Sequence, residues 1–286
     1  MTYRELYEYG QLRLVENEIA EAALDARLLL EYICHTDRNE LIVHGDRECS
    51  DLEEQFYRMT IDRRASHIPL QHITGVQEFM GLTFKVNEHT LIPRQDTEIL
   101  VEEAMRHLSD GMRILDMCTG SGCILLSLLK YSNECEGIGI DISDQALAVA
   151  RENAKRLELD AVFLEGDLFA PLADFVSEKT TDRLFDLVVS NPPYIETAVI
   201  ETLMPEVREH EPVLALDGME DGLHFYRRIV SEAPAHMRKG AYLFFEIGCE
   251  QGEAVKALMQ EGGFAQVEIL KDYAGLDRVV YGIKAF

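Results

Sequence analysis

From Thr97 onward the sequence alternates between two hydrophobic periods, and that alternation limits the possible folds more than any other feature. "TEILVEEAMRHL" carries the spacing of an amphipathic helix, and "MRILDMC" reads as a buried strand. The pattern then repeats, with helix "CILLSLLKYS", strand "CEGIGIDIS", helix "DQALAVARENAKRLEL", strand "AVFLEGD" and strand "RLFDLVVSN". Helix "DGLHFYRRIVSEAPAHM", strand "GAYLFFEIG", helix "EQGEAVKALMQEGG" and the strands "AQVEIL" and "DRVVYGIKAF" complete it. Such alternation predicts an α/β fold: a mainly parallel sheet of seven strands with helices on both faces. The last two strands are too closely spaced for a crossover and should pair antiparallel.

The chain before Thr97 reads differently. "EAALDARLLLEYICH" places Ala22, Leu28, Leu29, Tyr32 and Ile33 at helical spacing. "DLEEQFYRMTIDRRAS" follows the N-cap pair Ser50-Asp51 and has an acidic first turn. Around Gly81, "QEFMGLTFKVNEHTLIP" alternates apolar and polar residues, which predicts a β-hairpin. The expected organisation is a small helical domain over 1–70, a linking β-hairpin over 71–96 and an α/β domain over 97–286.

Composition narrows the function. At 47% hydrophobic residues the chain can bury a substantial core. Lys+Arg 27 against Asp+Glu 52 gives a net charge of -25, which repels phosphate backbones and argues against a nucleic-acid substrate. No apolar stretch is long enough to span a membrane. The polar start "MTYRELYEYGQL" lacks the apolar core of a secretory signal, so a cytoplasmic location is expected. The six cysteines form no CxxC pair and no Cys/His cluster with zinc spacing; buried thiols and no metal are expected.

The strand ends carry the chemistry. "ILDMCTGSGCI" runs strand, Gly-containing turn, helix, and Gly120 and Gly122 allow a ligand close to the backbone. The following helix offers free N–H groups at its start. No Lys-Ser/Thr follows the glycines, so this is not a P-loop, and it lacks the spacing of a dinucleotide fingerprint. About twenty residues on, "GIGIDIS" ends in Asp141, where a carboxylate can accept both hydroxyls of a ribose; Ser143 can cap the next helix and leave Asp141 free. The third strand ends in "LEGDLF", where Asp167 can accept from an exocyclic amine and Leu168 and Phe169 can cover a ring. Three successive strand ends of this kind point to an adenosine ligand at the C-terminal edge of the sheet.

The fourth strand, "LVVSNPPYI", stops in Asn191-Pro192-Pro193-Tyr194. Two prolines cannot extend a strand or donate to its ladder, so this strand ends by presenting an amide, a rigid bend and an aromatic ring. An isolated Pro-Pro is a turn. Beside an adenosine-type constellation, the same stretch resembles the [DNS]-P-P-[YFW] motif of class I S-adenosylmethionine methyltransferases that modify a planar, conjugated nitrogen. "LIPRQDTEILVE", "DMCTGSGCI", "FDLVVSNPPYI", "EVREHEPVLALDGMEDGL" and "DYAGLDRVVYG" together resemble the release-factor glutamine methyltransferases, the PrmC/HemK family, from about Pro69 to Val280.

That resemblance implies a seven-stranded, Rossmann-like class I methyltransferase sheet with S-adenosyl-L-methionine as cofactor. It implies methyl transfer to the glutamine amide (N5) in the Gly-Gly-Gln motif of class I peptide chain release factors. Cofactor contacts are then expected from Asp116, Cys118, Thr119, Gly120, Ser121, Gly122, Asp141, Asp167, Leu168 and Asn191. Asn191, Pro192, Pro193 and Tyr194 are expected to hold the substrate, with Asn191, Pro192 and Tyr194 catalytic and the Tyr194 ring flat against the planar group. The sequence departs from the family at Cys118, where glycine is usual, and at Gln95, where proline is usual. A cysteine at position 118 is strained if its φ is positive. "EVREHEP", Glu206 to Pro212, is expected to be a mobile charged loop beside the substrate. N6-adenine and N2-guanine nucleic-acid methyltransferases also carry NPPY; the charge of -25 argues against them.

Overall fold

The computed structural model describes residues 1–173, 175 and 183–285. Its contacts divide these into two compact units: Met1–Val76 with Met204–His210, and Gln77–Leu203 with Glu211–Phe286.

The first unit is helical. It contains α1 (Tyr3–Glu16), α2 (Ala22–Cys34), α3 (Arg38–Val43), α4 (Asp51–Ala65) and α5 (Leu70–Thr74). Ser50 starts α4 with a capping box: its hydroxyl accepts from the Glu53 amide while the Glu53 carboxylate accepts from the Ser50 amide. Leu6, Leu14, Leu29, Leu30, Tyr57 and Ile61 fill the core. Each large apolar side chain so buried contributes about 1.5–3 kcal/mol.

The buried face of α2 differs from the expected one. Ala22 and Leu29 are buried as predicted, but Tyr32 is 44% exposed, and Asp25, Ala26 and Leu30 take its place in the core. The reason is a polar partner that hydrophobic spacing cannot reveal. The Arg64 Nε donates to Asp25 Oδ2 at 2.7 Å, and both residues are buried. Arg64 Nη2 also donates to Glu206 Oε1 at 3.1 Å, and His67 Nδ1 lies 3.2 Å from the same oxygen. Burial pushes the Asp25 carboxyl up against the pull of Arg64.

Glu206 belongs to "EVREHEP", expected as a loop. It lies instead in a short helix, and the last glutamate of the stretch, Glu211, is only 5% exposed and paired with Arg94. Paired carboxylates fold a segment that its raw charge suggests should stay solvated.

The second unit holds the predicted alternation. A two-stranded sheet of β1 (Val76–Phe79) and β2 (Leu82–Lys85) precedes it. Then follow α6 (Gln95–Arg106), β3 (Arg113–Met117), α7 (Cys123–Lys130), β4 (Glu136–Asp141), α8 (Asp144–Leu157), β5 (Ala161–Glu165) and β6 (Phe185–Ser190). The short helices α9 (Thr197–Ile200) and α10 (Pro205–His210), of which α10 counts with the first unit, lead to α11 (His224–Glu232), β7 (Met237–Glu246), α12 (Gly252–Glu261), β8 (Phe264–Lys271) and β9 (Asp277–Lys284). The sheet order is β5-β4-β3-β6-β7-β9-β8. β3 to β7 pair in parallel; β9 runs antiparallel to both β7 and β8. Phe286, which ends the last predicted strand segment, lies outside the described residues.

Alternate residues of the central strands feed two cores. Leu115, Met117, Val188, Leu243 and Phe245 pack on one face; Ile114, Leu187, Val189 and Phe244 pack on the other. Of the cysteines only Cys123 is buried; Cys34, Cys49, Cys118 and Cys135 are half-buried and Cys249 is exposed, all as free thiols. Among the described residues no helix is long and apolar enough to cross a membrane.

The Asp25–Arg64 pair makes a firm prediction. Arg64→Leu strands a buried carboxylate and should lower the unfolding free energy by about 3–5 kcal/mol, measured by urea titration. Asp25→Asn combined with Arg64→Leu should recover part of that loss. A loss under about 1 kcal/mol for Arg64→Leu would show the pair to be no better than a surface contact.

Candidate active site

Strand register gathers the site at one edge of the sheet. Met117 is level with Ile140 on one side and with Ser190 on the other, so Cys118, Asp141 and Asn191 stand at one level on the edge of the sheet. Chain order departs from β3 in both directions, which makes the β3/β6 border the switch point where open sheets of this kind bind ligands. The Ser190 hydroxyl donates to the Met117 carbonyl at 2.7 Å and ties the two strand ends together.

The turn after β3 is braced from below. The Thr119 amide donates to the Ile140 carbonyl at 3.0 Å, and its hydroxyl donates to Asp116 Oδ2 at 2.6 Å. Asp116 is fully buried, and burial pushes its carboxyl up to about 7. Cys118 has φ +60°, a left-handed backbone that costs a non-glycine residue about 1–3 kcal/mol. The strain anticipated for a cysteine here is therefore present. Burial also pushes the Cys118 thiol up, away from the reactive thiolate. Gly120 has φ +54°, and a Cβ added there would meet nothing within 4 Å, so the turn opens onto free space.

Asp141 faces the same space. Its Oδ2 accepts from the Gly120 amide at 2.8 Å and its Oδ1 from the Ser143 amide at 2.9 Å. Burial raises this carboxyl and the backbone N–H groups oppose the rise. Ser143 caps α8, its hydroxyl accepting from the Ala146 amide.

A cleft of about 1060 Å³, counting its open mouth, lies over these strand ends. Of the residues singled out by sequence, Cys118, Thr119, Gly120, Ser121, Asp141, Asp167, Leu168, Asn191 and Pro193 line it; Asp116, Gly122, Pro192 and Tyr194 do not. Asp167 is already engaged: Arg228 grips it in a fork at 2.8 and 3.0 Å. Phe169, expected to cover a ligand ring, is instead buried and stacked on His236 at 4.8 Å between centroids. Leu168 alone of that pair faces the cleft. Sequence reasoning missed Arg228 of α11, which holds Asp167, and the lining residues Phe225 of α11 and His89, Thr90, Leu91 and Pro93 ahead of α6. Of these, Leu91 and Pro93 fall in "LIPRQDTEILVE", singled out only by family resemblance, and His89 and Thr90 come just before it.

The end of β6 supplies the remaining wall. Neither the Asn191 side-chain amide nor the Pro192 carbonyl has a hydrogen-bond partner among the described residues. Tyr194 was expected to lie against the substrate; its ring is half-buried against the apolar core and its hydroxyl donates to Glu246 Oε1 at 3.3 Å. Beyond it, the Ile195 amide donates to the Leu216 carbonyl at 3.0 Å, and the Gly218 amide to the Ile195 carbonyl at 2.7 Å. A Cβ on Gly218 would sit 2.7 Å from the Tyr194 Cα, so only glycine lets these two segments meet.

This donor set fits an adenosyl ligand. An open glycine turn admits a ligand to the backbone, a carboxylate with lone pairs to spare stands at the next strand end, and apolar Leu168 lines the third. The unpaired Asn191 amide lines the cleft, and the free carbonyl of Pro192 follows one residue on. Among the described residues no group of His, Cys, Asp or Glu is placed to hold a metal.

Comparison with known proteins agrees with this chemistry. The PrmC N-terminal domain family matches residues 5–75, and a methyltransferase domain family matches residues 108–263. The release factor glutamine methyltransferase of Geobacter sulfurreducens is 42% identical over 281 residues, covering 98% of this chain and 96% of its own length. That of Caulobacter vibrioides is 42% identical over 276 residues, covering 95% and 93%. A methyltransferase from Pyrococcus furiosus shares the fold, with a TM-score of 0.53 at 15% identity over 79% of this chain and 99% of its own. Identity at this level, sustained across nearly the whole of both chains, shows that this chain belongs to the release factor glutamine methyltransferase family.

Proposed function

We propose that this chain transfers a methyl group from S-adenosylmethionine to the side-chain amide nitrogen of the glutamine in the Gly-Gly-Gln motif of class I peptide chain release factors. The observation that carries the reading is the unpaired Asn191 amide beside the free Pro192 carbonyl, at a strand end that borders a cleft fit for adenosine.

S-adenosylmethionine supplies an electrophilic methyl group on a sulfonium centre when bound. Asp141 would accept from the ribose hydroxyls, and the open backbone at Gly120 would admit the chain of the ligand. Leu168 would cover the adenine, and Asp167 would offer its remaining lone pairs to the exocyclic amine. Asp116 contributes from beneath, by holding Thr119 and with it the turn.

A glutamine amide is a poor nucleophile because its lone pair is delocalised into the carbonyl. The Asn191 side-chain oxygen and the Pro192 carbonyl accept its two N–H bonds, and the Asn191 NH2 donates to its carbonyl. Pinned in this way, the nitrogen is oriented for attack, a gain of up to about 7–11 kcal/mol when geometry is fully fixed. Two acceptors also favour the positive charge that grows on nitrogen. The methylated amide gives up its proton readily to water, so no carboxylate or histidine need act as base.

The partner reading rests on membership of the release factor glutamine methyltransferase family, and charge adds to it. A body of net charge -25 attracts a basic protein surface and speeds encounter, an effect that salt weakens. The KM for release factor should therefore climb as salt is raised from low to physiological ionic strength, with cofactor affinity nearly flat. An unchanged KM would leave the acidic charge as a matter of solubility alone.

Two substitutions divide the site. Asp141→Ala removes the acceptor for two hydroxyls and should weaken S-adenosylmethionine binding by about 1.5–3 kcal/mol, roughly 10- to 100-fold, by calorimetry. Affinity within error of wild type would refute the ribose assignment. Asn191→Ala should bind cofactor nearly normally and turn over roughly 100-fold more slowly. Near-normal turnover would reduce NPPY to a turn. For the reaction itself, radiolabelled methyl should appear in purified release factor when release factor, tRNA and DNA are offered side by side. Label confined to nucleic acid would overturn the proposal.

A further inference from the structure

Glu246 ends β7 beside the strand that carries NPPY, and it is 1% exposed. One carboxylate oxygen accepts from the Tyr194 hydroxyl at 3.3 Å; the other, Oε2, is buried with no partner among the described residues. Burial pushes this carboxyl up, the Thr97 hydroxyl of α6, Arg278 of β9 and Tyr194 pull it back down, and Asp96 of α6 adds to the rise. Arg278 is itself engaged by Asp96 at 3.1 Å and Asp272 at 3.0 Å. A buried carboxylate with one oxygen unsatisfied adds little or nothing to stability; an apolar side chain of similar volume serves the core at least as well. Stability therefore gives no reason for the glutamate.

Its neighbours supply one. Gln251 Nε2 donates to the Tyr194 carbonyl at 3.0 Å, while Gln251 Oε1 accepts from the Gly248 amide at 2.9 Å. The Tyr226 hydroxyl donates to the Glu246 backbone carbonyl at 2.9 Å. Tyr194 is thus gripped at both ends, by Glu246 at its hydroxyl and by Gln251 at its backbone. Tyr194 is two peptide units from Pro192 and three residues from Asn191, and two prolines stiffen the link. Whatever fixes Tyr194 fixes the direction of the amide and the carbonyl.

We propose that Glu246 is a positioning residue for the amide-binding turn, acting through the Tyr194 hydroxyl to hold the Asn191 side chain and the Pro192 carbonyl in line for the substrate. This rests on the functional reading given above for NPPY.

The test uses the full chain with Glu246→Gln, Glu246→Leu, Tyr194→Phe and the double variant Glu246→Leu/Tyr194→Phe. Gln keeps an oxygen that accepts the hydroxyl, so Glu246→Gln should retain most of its turnover. Glu246→Leu should bind S-adenosylmethionine as wild type does, yet lose roughly 10-fold or more in kcat on release factor with little change in KM. Tyr194→Phe, which removes only the hydroxyl, should lose about as much, and the double variant should be no worse than the worse single. Wild-type kcat in Glu246→Leu, or losses that multiply in the double variant, would overturn the proposal. If Glu246→Leu fails to fold, Tyr194→Phe decides alone, and full turnover there overturns it.

A second readout needs no substrate. In protein labelled with 15N-asparagine, the Asn191 side-chain signal, assigned by its loss in Asn191→Ala, should shift or broaden in Glu246→Leu and Tyr194→Phe but stay in place in Glu246→Gln. An unmoved signal in the first two overturns the positioning role whatever the substrate proves to be. Failure of wild type to methylate release factor counts against the functional reading instead.

Discussion

The cleft edge of this protein's sheet depends on how β6 stops. A central strand, paired on both sides, must leave the sheet without orphaning costly polar groups, and this one leaves through two prolines. Ser190 closes the last position by bonding sideways to the Met117 carbonyl. One residue later the ladder is over, and Asn191 and Pro192 carry hydrogen-bonding capacity that nothing nearby consumes. The abrupt stop leaves the carbonyl free: a continuing strand would have spent it on a neighbour.

The stop also has to be held. Downstream of it, Tyr194 and Ile195 are fastened by Gln251, Glu246 and the backbone from Leu216 to Gly218, with Gly218 allowing contact no side chain would permit. Upstream, the β3 turn is fixed by the Asp116–Thr119 bond and by the Gly120 amide on Asp141. The strained Cys118 sits between these anchors, where the surroundings determine its backbone for it. Polar atoms that point into the cleft are therefore supported by others that point away from it.

How much of this was legible in the sequence follows from what each signal depends on. The seven strands and their helices were readable because hydrophobic period is a local property, and the antiparallel end followed from loop length. The positions of Gly120, Asp141 and Asn191 were readable because parallel strands bring their C-terminal ends to one edge. Long-range polar pairing was not. Asp25 looked like the polar side of α2 until Arg64, thirty-nine residues away, explained its burial. Glu206 and Glu211 looked like a solvated run until Arg64 and Arg94 claimed them. Arg228 on Asp167 and Glu246 on Tyr194 were hidden for the same reason, and Phe169 turned inward because one residue of rotation past a strand end exchanges cleft for core.

The central claim is that the free amide and carbonyl at the end of β6 orient a glutamine side chain, and it is tested most directly at the product. Release factor incubated with the wild-type chain and S-adenosylmethionine can be digested and its peptides sequenced by mass spectrometry. The side-chain amide of the Gly-Gly-Gln glutamine should carry the mass of a single methyl group, and none should appear when that glutamine is replaced. Methyl on a backbone, a lysine or any other side chain, or no methylated peptide at all, would contradict it.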